Sequence, residues 1–192
     1  DTVSGIGTEG TVFEGDITFD SLNYMTLPKG TTTQSNRGRG IIPGGNQNPG
    51  VVQTIDYITI ASTGNAIDFG DQTVMRDSFG GTASQTRAVF FGGRDNSNPS
   101  EPKTNIIDYI EIATTGNAID FGKLSATTRD YNGAQNIVRG LIAGGSNPST
   151  YINVISQISL LTGGESEDFG DLSDPAKALV GLSGSHGGLG GF

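Results

Sequence analysis

The sequence predicts an all-β protein assembled from short four-stranded antiparallel units, and three observations carry that prediction. The first is an internal repeat: Thr54-Ile55-Asp56-Tyr57-Ile58 with Thr63-Gly64-Asn65-Ala66-Ile67-Asp68-Phe69-Gly70 returns almost unchanged as Ile107-Asp108-Tyr109-Ile110 with Thr115-Gly116-Asn117-Ala118-Ile119-Asp120-Phe121-Gly122. A worn copy follows at Val154-Ile155-Ser156-Gln157-Ile158, ending in Asp168-Phe169-Gly170. Repetition at a fixed period means an array of like units. The second observation is 31 Gly in 192 residues, which suits many strands joined by tight turns and penalises helices. The third is apolar alternation with period two, which argues for strands and against disorder.

Along the chain, residues 1–36 precede the repeats. Residues 1–10 read as a polar, Gly-rich arm, 11–19 as a weakly alternating strand, and 24–28 as a short strand stopped by Pro28-Lys29-Gly30. The repeats occupy 37–186, dividing near 37–86, 87–138 and 139–186, and 187–192 is a Gly-rich tail. Gly-Gly pairs begin at Gly44, Gly92 and Gly144, steps of 48 and 52 residues. Asp-Phe-Gly triplets begin at Asp68, Asp120 and Asp168, steps of 52 and 48. The length difference falls in one loop after each Gly-Gly pair, while the rest of the unit is constant. Within a unit the first strand is read near 129–134, and the second at 139–143, opened by Arg139 as by Arg39 and Arg87. The third runs over 107–112, with Asp108, Ile110 and Ile112 on one face and Ile107, Tyr109 and Glu111 on the other. A turn at Thr115-Gly116-Asn117 leads into the fourth, 118–121. Strands this short bury a core only by stacking unit on unit.

Composition excludes several functions. Eleven Lys and Arg against 20 Asp and Glu give a net charge of −9, a poor match to phosphate backbones. There is no Cys, hence no disulfide, thiolate metal site or Cys nucleophile. No apolar run approaches the roughly 20 residues of a membrane helix. The chain begins at Asp1 without Met or a signal-peptide pattern, so it is read as processed or as part of something longer. The single His186 has no nucleophilic elbow around it and is read as exposed or loosely packed. The Gly-Gly pairs are not phosphate loops, since no Lys-Ser or Lys-Thr follows. The repeated Asp residues (56 and 108; 68, 120 and 168) permit a glycosidase-like carboxylate pair. A residue needed in every unit, however, serves the unit, for example by capping turn N–H groups. No catalytic residue, metal site or cofactor is expected.

Variable loops on a constant scaffold are where repeat folds meet partners. Those after the Gly-Gly pairs carry Asn46 and Gln47, then Arg94, Asp95 and Asn96, then Asn147. These six are the candidate partner- or glycan-binding residues, with Asn-Pro turn formation as the simpler role for the same side chains.

A period near 50 residues, an apolar strand ending in Gly-Gly and an aromatic fourth strand together resemble the kelch repeat. The resemblance covers about residues 24–189, with Arg76, Arg129 and Lys177 in the basic slot and Phe69, Phe121 and Phe169 where kelch usually has Trp. It implies a β-propeller or partial propeller of four-stranded blades. The particular wording resembles kelch-like repeat proteins of tailed marine and cyanobacterial phages. That likeness implies a non-enzymatic structural component of a virion (tail, fibre or decoration protein), contacting other virion proteins and copies of itself. The alternative is a carbohydrate- or receptor-binding module on a virion or bacterial surface, with a host glycan as ligand. Copper oxidases also use kelch-type propellers, but they need Cys, Tyr and His ligands, and this chain has no Cys and a single His.

Overall fold

The computed structural model describes residues 38–60, 62–97, 104–147 and 149–183. The expectations for the arm, the strands at 11–19 and 24–28, His186 and the 187–192 tail lie outside them. The described residues form an all-β structure without a helix, in four small antiparallel sheets, none of which closes on itself.

The first unit holds β1 (Arg39–Asn46), β2 (Val51–Thr59) and β3 (Ile67–Asp71), hydrogen-bonded in that order. A two-stranded ladder follows, β4 (Arg76–Asp77) with β7 (Arg94–Asp95). The second unit is β5 (Gly80–Ala83), β6 (Arg87–Phe91), β8 (Ile106–Glu111) and β9 (Ile119–Lys123), in spatial order β5-β6-β8-β9. The third repeats that order with β10 (Asn132–Gln135), β11 (Arg139–Ala143), β12 (Val154–Ser159) and β13 (Glu167–Asp171). The four strands expected per unit are therefore present in units two and three, with ends displaced by up to three residues.

Period-two alternation explains where the core sits. On β6, Val89 and Phe91 enter one cluster with Ile107, Leu124, Ile142, Ile158 and Leu160. Their neighbours Ala88 and Phe90 enter a second with Ile55, Phe69 and Ile110. The middle sheet is thus apolar on both faces because another unit covers each. On β8 the expected split holds: Ile107 and Tyr109 face the first cluster, and Ile110 and Ile112 the second.

Each unit carries a bulge at the same place, between Ile55 and Asp56, Ile107 and Asp108, and Ile155 and Ser156. Opposite it lies the Asp-Phe-Gly triplet. Asp68, Asp120 and Asp168 each accept the N–H of the Gly two residues on, at 3.1, 3.0 and 3.1 Å. This is the N–H capping expected of a carboxylate that recurs in every unit. The inner strands of the second and third units approach closely, since a Cβ on Gly133 would overlap the Gly81 carbonyl, and beyond the third unit one on Gly181 would overlap the Gly133 carbonyl. Only Gly permits that approach.

Candidate functional site

The six loop residues follow the Gly-Gly pairs as expected, but most of their polar groups are spent locally. Gln47 N–H closes a turn onto the Gly50 carbonyl at 2.7 Å. Asp95 Oδ1 accepts Ser97 N–H and Oγ–H at 2.8 and 2.5 Å. Arg94 Nη2 donates to Asp77 Oδ2 at 2.6 Å, and Asn96 Nδ2 to the same oxygen at 3.3 Å and to the Arg94 carbonyl at 3.0 Å. Burial pushes the Asp77 carboxyl up, but Arg94, Ser78 and Asn96 outweigh it and hold the group below the usual carboxylate range. Asp77 in turn raises the Arg94 guanidinium. Asn46, at the end of β1, is exposed. Asn147 Oδ1 accepts Ser149 and Thr150 N–H, both at 2.9 Å, and its side of the loop borders a cavity.

That cavity lies where the third unit differs from the second. In the second unit a polar network fills the space beneath the Gly-Gly strand. Arg76, fully buried, pairs with the fully buried Asp108 and donates to Gln72 Oε1 at 3.0 Å and to the Ile106 carbonyl at 3.1 Å. The other Asp108 oxygen accepts Thr73 N–H and Oγ1–H at 3.1 and 2.7 Å. Both carboxylate oxygens are therefore committed. Burial lowers the Arg76 pKa, and Asp108 opposes the shift.

Matching backbone hydrogen bonds identify the counterparts in the third unit. Gln72 N–H bonds to Gln53 O where Leu124 N–H bonds to Asn105 O, so Gln72, Thr73 and Arg76 correspond to Leu124, Ser125 and Thr128. Asp108 pairs with Asp120 as Ser156 does with Asp168. This corrects one expectation: Arg76, Arg129 and Lys177 do not share a slot. Arg129 bridges Ser146 as Asp77 pairs with Arg94, so Arg129 stands in the Asp77 position and Thr128 in that of Arg76. The two linkers are equal in length, and the basic residue itself stands one position later in the third unit, which the spacing of basic residues alone conceals.

With Thr, Ser and Leu in place of Arg, Asp and Gln, the third unit carries no ion pair at this place. A cavity of about 800 Å³ lies there, lined by Leu124, Ser125, Thr128, Tyr131, Asn147 and Ser156 among others, with no ionisable group except the Tyr131 phenol. Burial raises the Tyr131 pKa far above its ordinary value, so that hydroxyl stays neutral. Thr128 Oγ1 is buried without a hydrogen-bond partner. Such a lining of hydroxyls and amides suits a neutral, hydrogen-bonding ligand. Among the described residues no cluster of His, Asp and Glu is disposed to hold a metal ion. Of the six loop residues only Asn147 reaches this cavity. Thr128 and Ser156 were missed, although Ser156 standing where Asp56 and Asp108 recur was the available signal. No protein-family model matches the chain, and no curated protein matches it.

Proposed function

We propose that the protein is a non-enzymatic structural component of a phage virion, in a tail, fibre or decoration role, using a kelch-like propeller for protein–protein contacts. One observation supports the non-enzymatic part: Asp108 is held by Arg76 and Thr73, and each triplet Asp has one oxygen engaged by the N–H of its own Gly. The virion setting rests on the likeness of the repeat wording to phage kelch-like proteins. Quantitative mass spectrometry of particles from the phage that encodes the chain tests it. Stoichiometric presence supports the assignment, and absence from washed particles sinks it.

The cavity beside Thr128 and Ser156 favours a second reading, a carbohydrate- or receptor-binding module taking a neutral glycan. Titration with neutral oligosaccharides distinguishes it. The double variant Thr128→Arg/Ser156→Asp, which restores the side chains of the second unit, is expected to lose at least tenfold in affinity while remaining folded. No heat of binding for any neutral sugar at millimolar concentration removes this reading.

A further inference from the structure

Units one and two, and units two and three, meet through the same junction. At the first, Gly116 N–H bonds to the Phe69 carbonyl and Ala118 N–H to the Asp71 carbonyl, both at 2.8 Å, while Asp71 N–H bonds to Asn117 Oδ1 at 3.0 Å. At the second, Gly164 N–H bonds to Phe121 O at 2.8 Å and Ser166 N–H to Lys123 O at 2.9 Å. In both, the turn of the following unit lies on the outer strand of the preceding one. Gly70 and Gly122, at φ of 146° and 142°, make room: a Cβ on either would overlap the carbonyl of the incoming turn. An arginine adds a third element, since Arg39 Nη1 reaches the Ile112 carbonyl at 2.7 Å and Arg87 Nη1 the Leu161 carbonyl at 2.6 Å.

Both halves of this junction recur unused at the ends of the described array. Gly170 keeps the same backbone, φ 145°, yet among the described residues nothing lies within 4 Å of the Cβ position. Phe69 is 3% exposed and Phe169 48%. Arg139 stacks on Phe169 at 5.6 Å, as Arg39 and Arg87 do on their own phenylalanines, but its guanidinium has no hydrogen-bond acceptor among the described residues. At the other end the first unit's turn, Thr63-Gly64-Asn65-Ala66, is exposed throughout. Ile60, the counterpart of the fully buried Leu160, is 68% exposed.

The sequences match letter for letter. Thr63-Gly64-Asn65-Ala66 is identical to Thr115-Gly116-Asn117-Ala118, and Asp168-Phe169-Gly170-Asp171 to Asp68-Phe69-Gly70-Asp71. The two free halves therefore reproduce the junction between units one and two. We infer that the Asp168–Asp171 edge is the seat for a second copy of this chain, which lays its Thr63-Gly64-Asn65-Ala66 turn there and continues the array head to tail. Gly64 N–H then bonds to Phe169 O, Ala66 N–H to Asp171 O, and Asn65 Oδ1 accepts Asp171 N–H. Arg139 meets the Ile60 carbonyl, and Ile60 covers Phe169. The contact is heterologous, so it builds rings or open arrays rather than two-fold dimers. This names the surface and partner for the building-block role proposed above, on which it rests for its biological setting.

Sedimentation velocity on the full chain, from low micromolar to near-millimolar concentration, tests the inference. The expected result is a mass that rises with concentration. Ile60→Asp and Phe169→Asp, both at exposed positions, are each expected to weaken association about 30-fold or more, the size of an interface hot spot. Circular dichroism checks their folding, and Ala66→Pro, which deletes one donor from an exposed turn, serves if Ile60→Asp does not fold. The decisive sample is an equal mixture of Ile60→Asp and Phe169→Asp chains. Each retains one sound half, so the mixture is expected to stop at a heterodimer. A wild-type mass independent of concentration, or oligomers indifferent to both substitutions, overturns the inference. So does a monomer in which Phe169→Ala costs as much stability as Phe69→Ala, since the ends would then meet within one chain. Particle composition is a separate readout, so the virion reading stands or falls without it.

Discussion

At the scale of single residues, the buried pair of Arg76 and Asp108 is the most sensitive point in the described structure. Both are fully buried, and neither has water to fall back on if its partner is lost. Asp108→Ala is expected to cost about 3–5 kcal/mol, the penalty of stranding a buried charge, read from urea denaturation. Arg76→Met/Asp108→Leu is expected to recover most of that loss, because apolar replacements leave no orphaned charge. The same deletion at Ser156 removes only a neutral hydroxyl and is expected to cost about 1 kcal/mol or less. Asp77 supplies a pH dependence. Its carboxyl is held below the unfolded value of about 3.9, so the stabilisation is complete above that pH and is lost as pH falls through the lowered folded pKa. A urea midpoint that declines below about pH 4 in the wild type, and less steeply in Asp77→Asn, is the expected outcome.

At the scale of strands, the three outer strands share one triplet but experience three environments. Phe69→Ala empties a buried site and is expected to cost about 3–5 kcal/mol, whereas Phe169→Ala in dilute, unassociated chain is expected to cost about 1 kcal/mol or less. Matched urea curves check the pair. Much of this layer was legible in the sequence. The Arg-led second strands, the 107–112 strand with its two faces and the Asp-Phe-Gly fourth strand follow from alternation and repetition. The first strand was not placed as well: it begins at Asn132 rather than Arg129, because Asp130 at φ 60° breaks the extended run, as Ser78 does at 55°. The ladder of Arg76–Asp77 with Arg94–Asp95 escaped notice because two residues show no period. The cavity was invisible for another reason. It depends on which side chains of neighbouring units share a space, and Thr128 lines up with Arg76 only when backbone hydrogen bonds set the register.

At the scale of the array, stability is a sum of units and junctions between nearest neighbours. The second unit contributes to both hydrophobic clusters, through alternate residues of the same strands. Hydrogen exchange is expected to be slowest at the amides of β6 and β8, with β1 and β13 opening first. Slower exchange in β13 than in β8 would contradict this nearest-neighbour picture. The six loop residues sit at equivalent places along the array, yet only Asn147 borders the cavity, while Arg94, Asp95 and Asn96 are occupied with turn contacts.

The identity of Asp68-Phe69-Gly70 with Asp120-Phe121-Gly122 also bears on how the coding sequence can change. A crossover between those two points removes 52 codons in frame and rejoins the text without a mismatch; the reciprocal product gains the same number. In both products the turn that arrives at the splice makes the same kind of backbone contact that the receiving strand already makes. Gain or loss of one whole unit is therefore expected to disturb this fold less than an insertion of the same length within a unit.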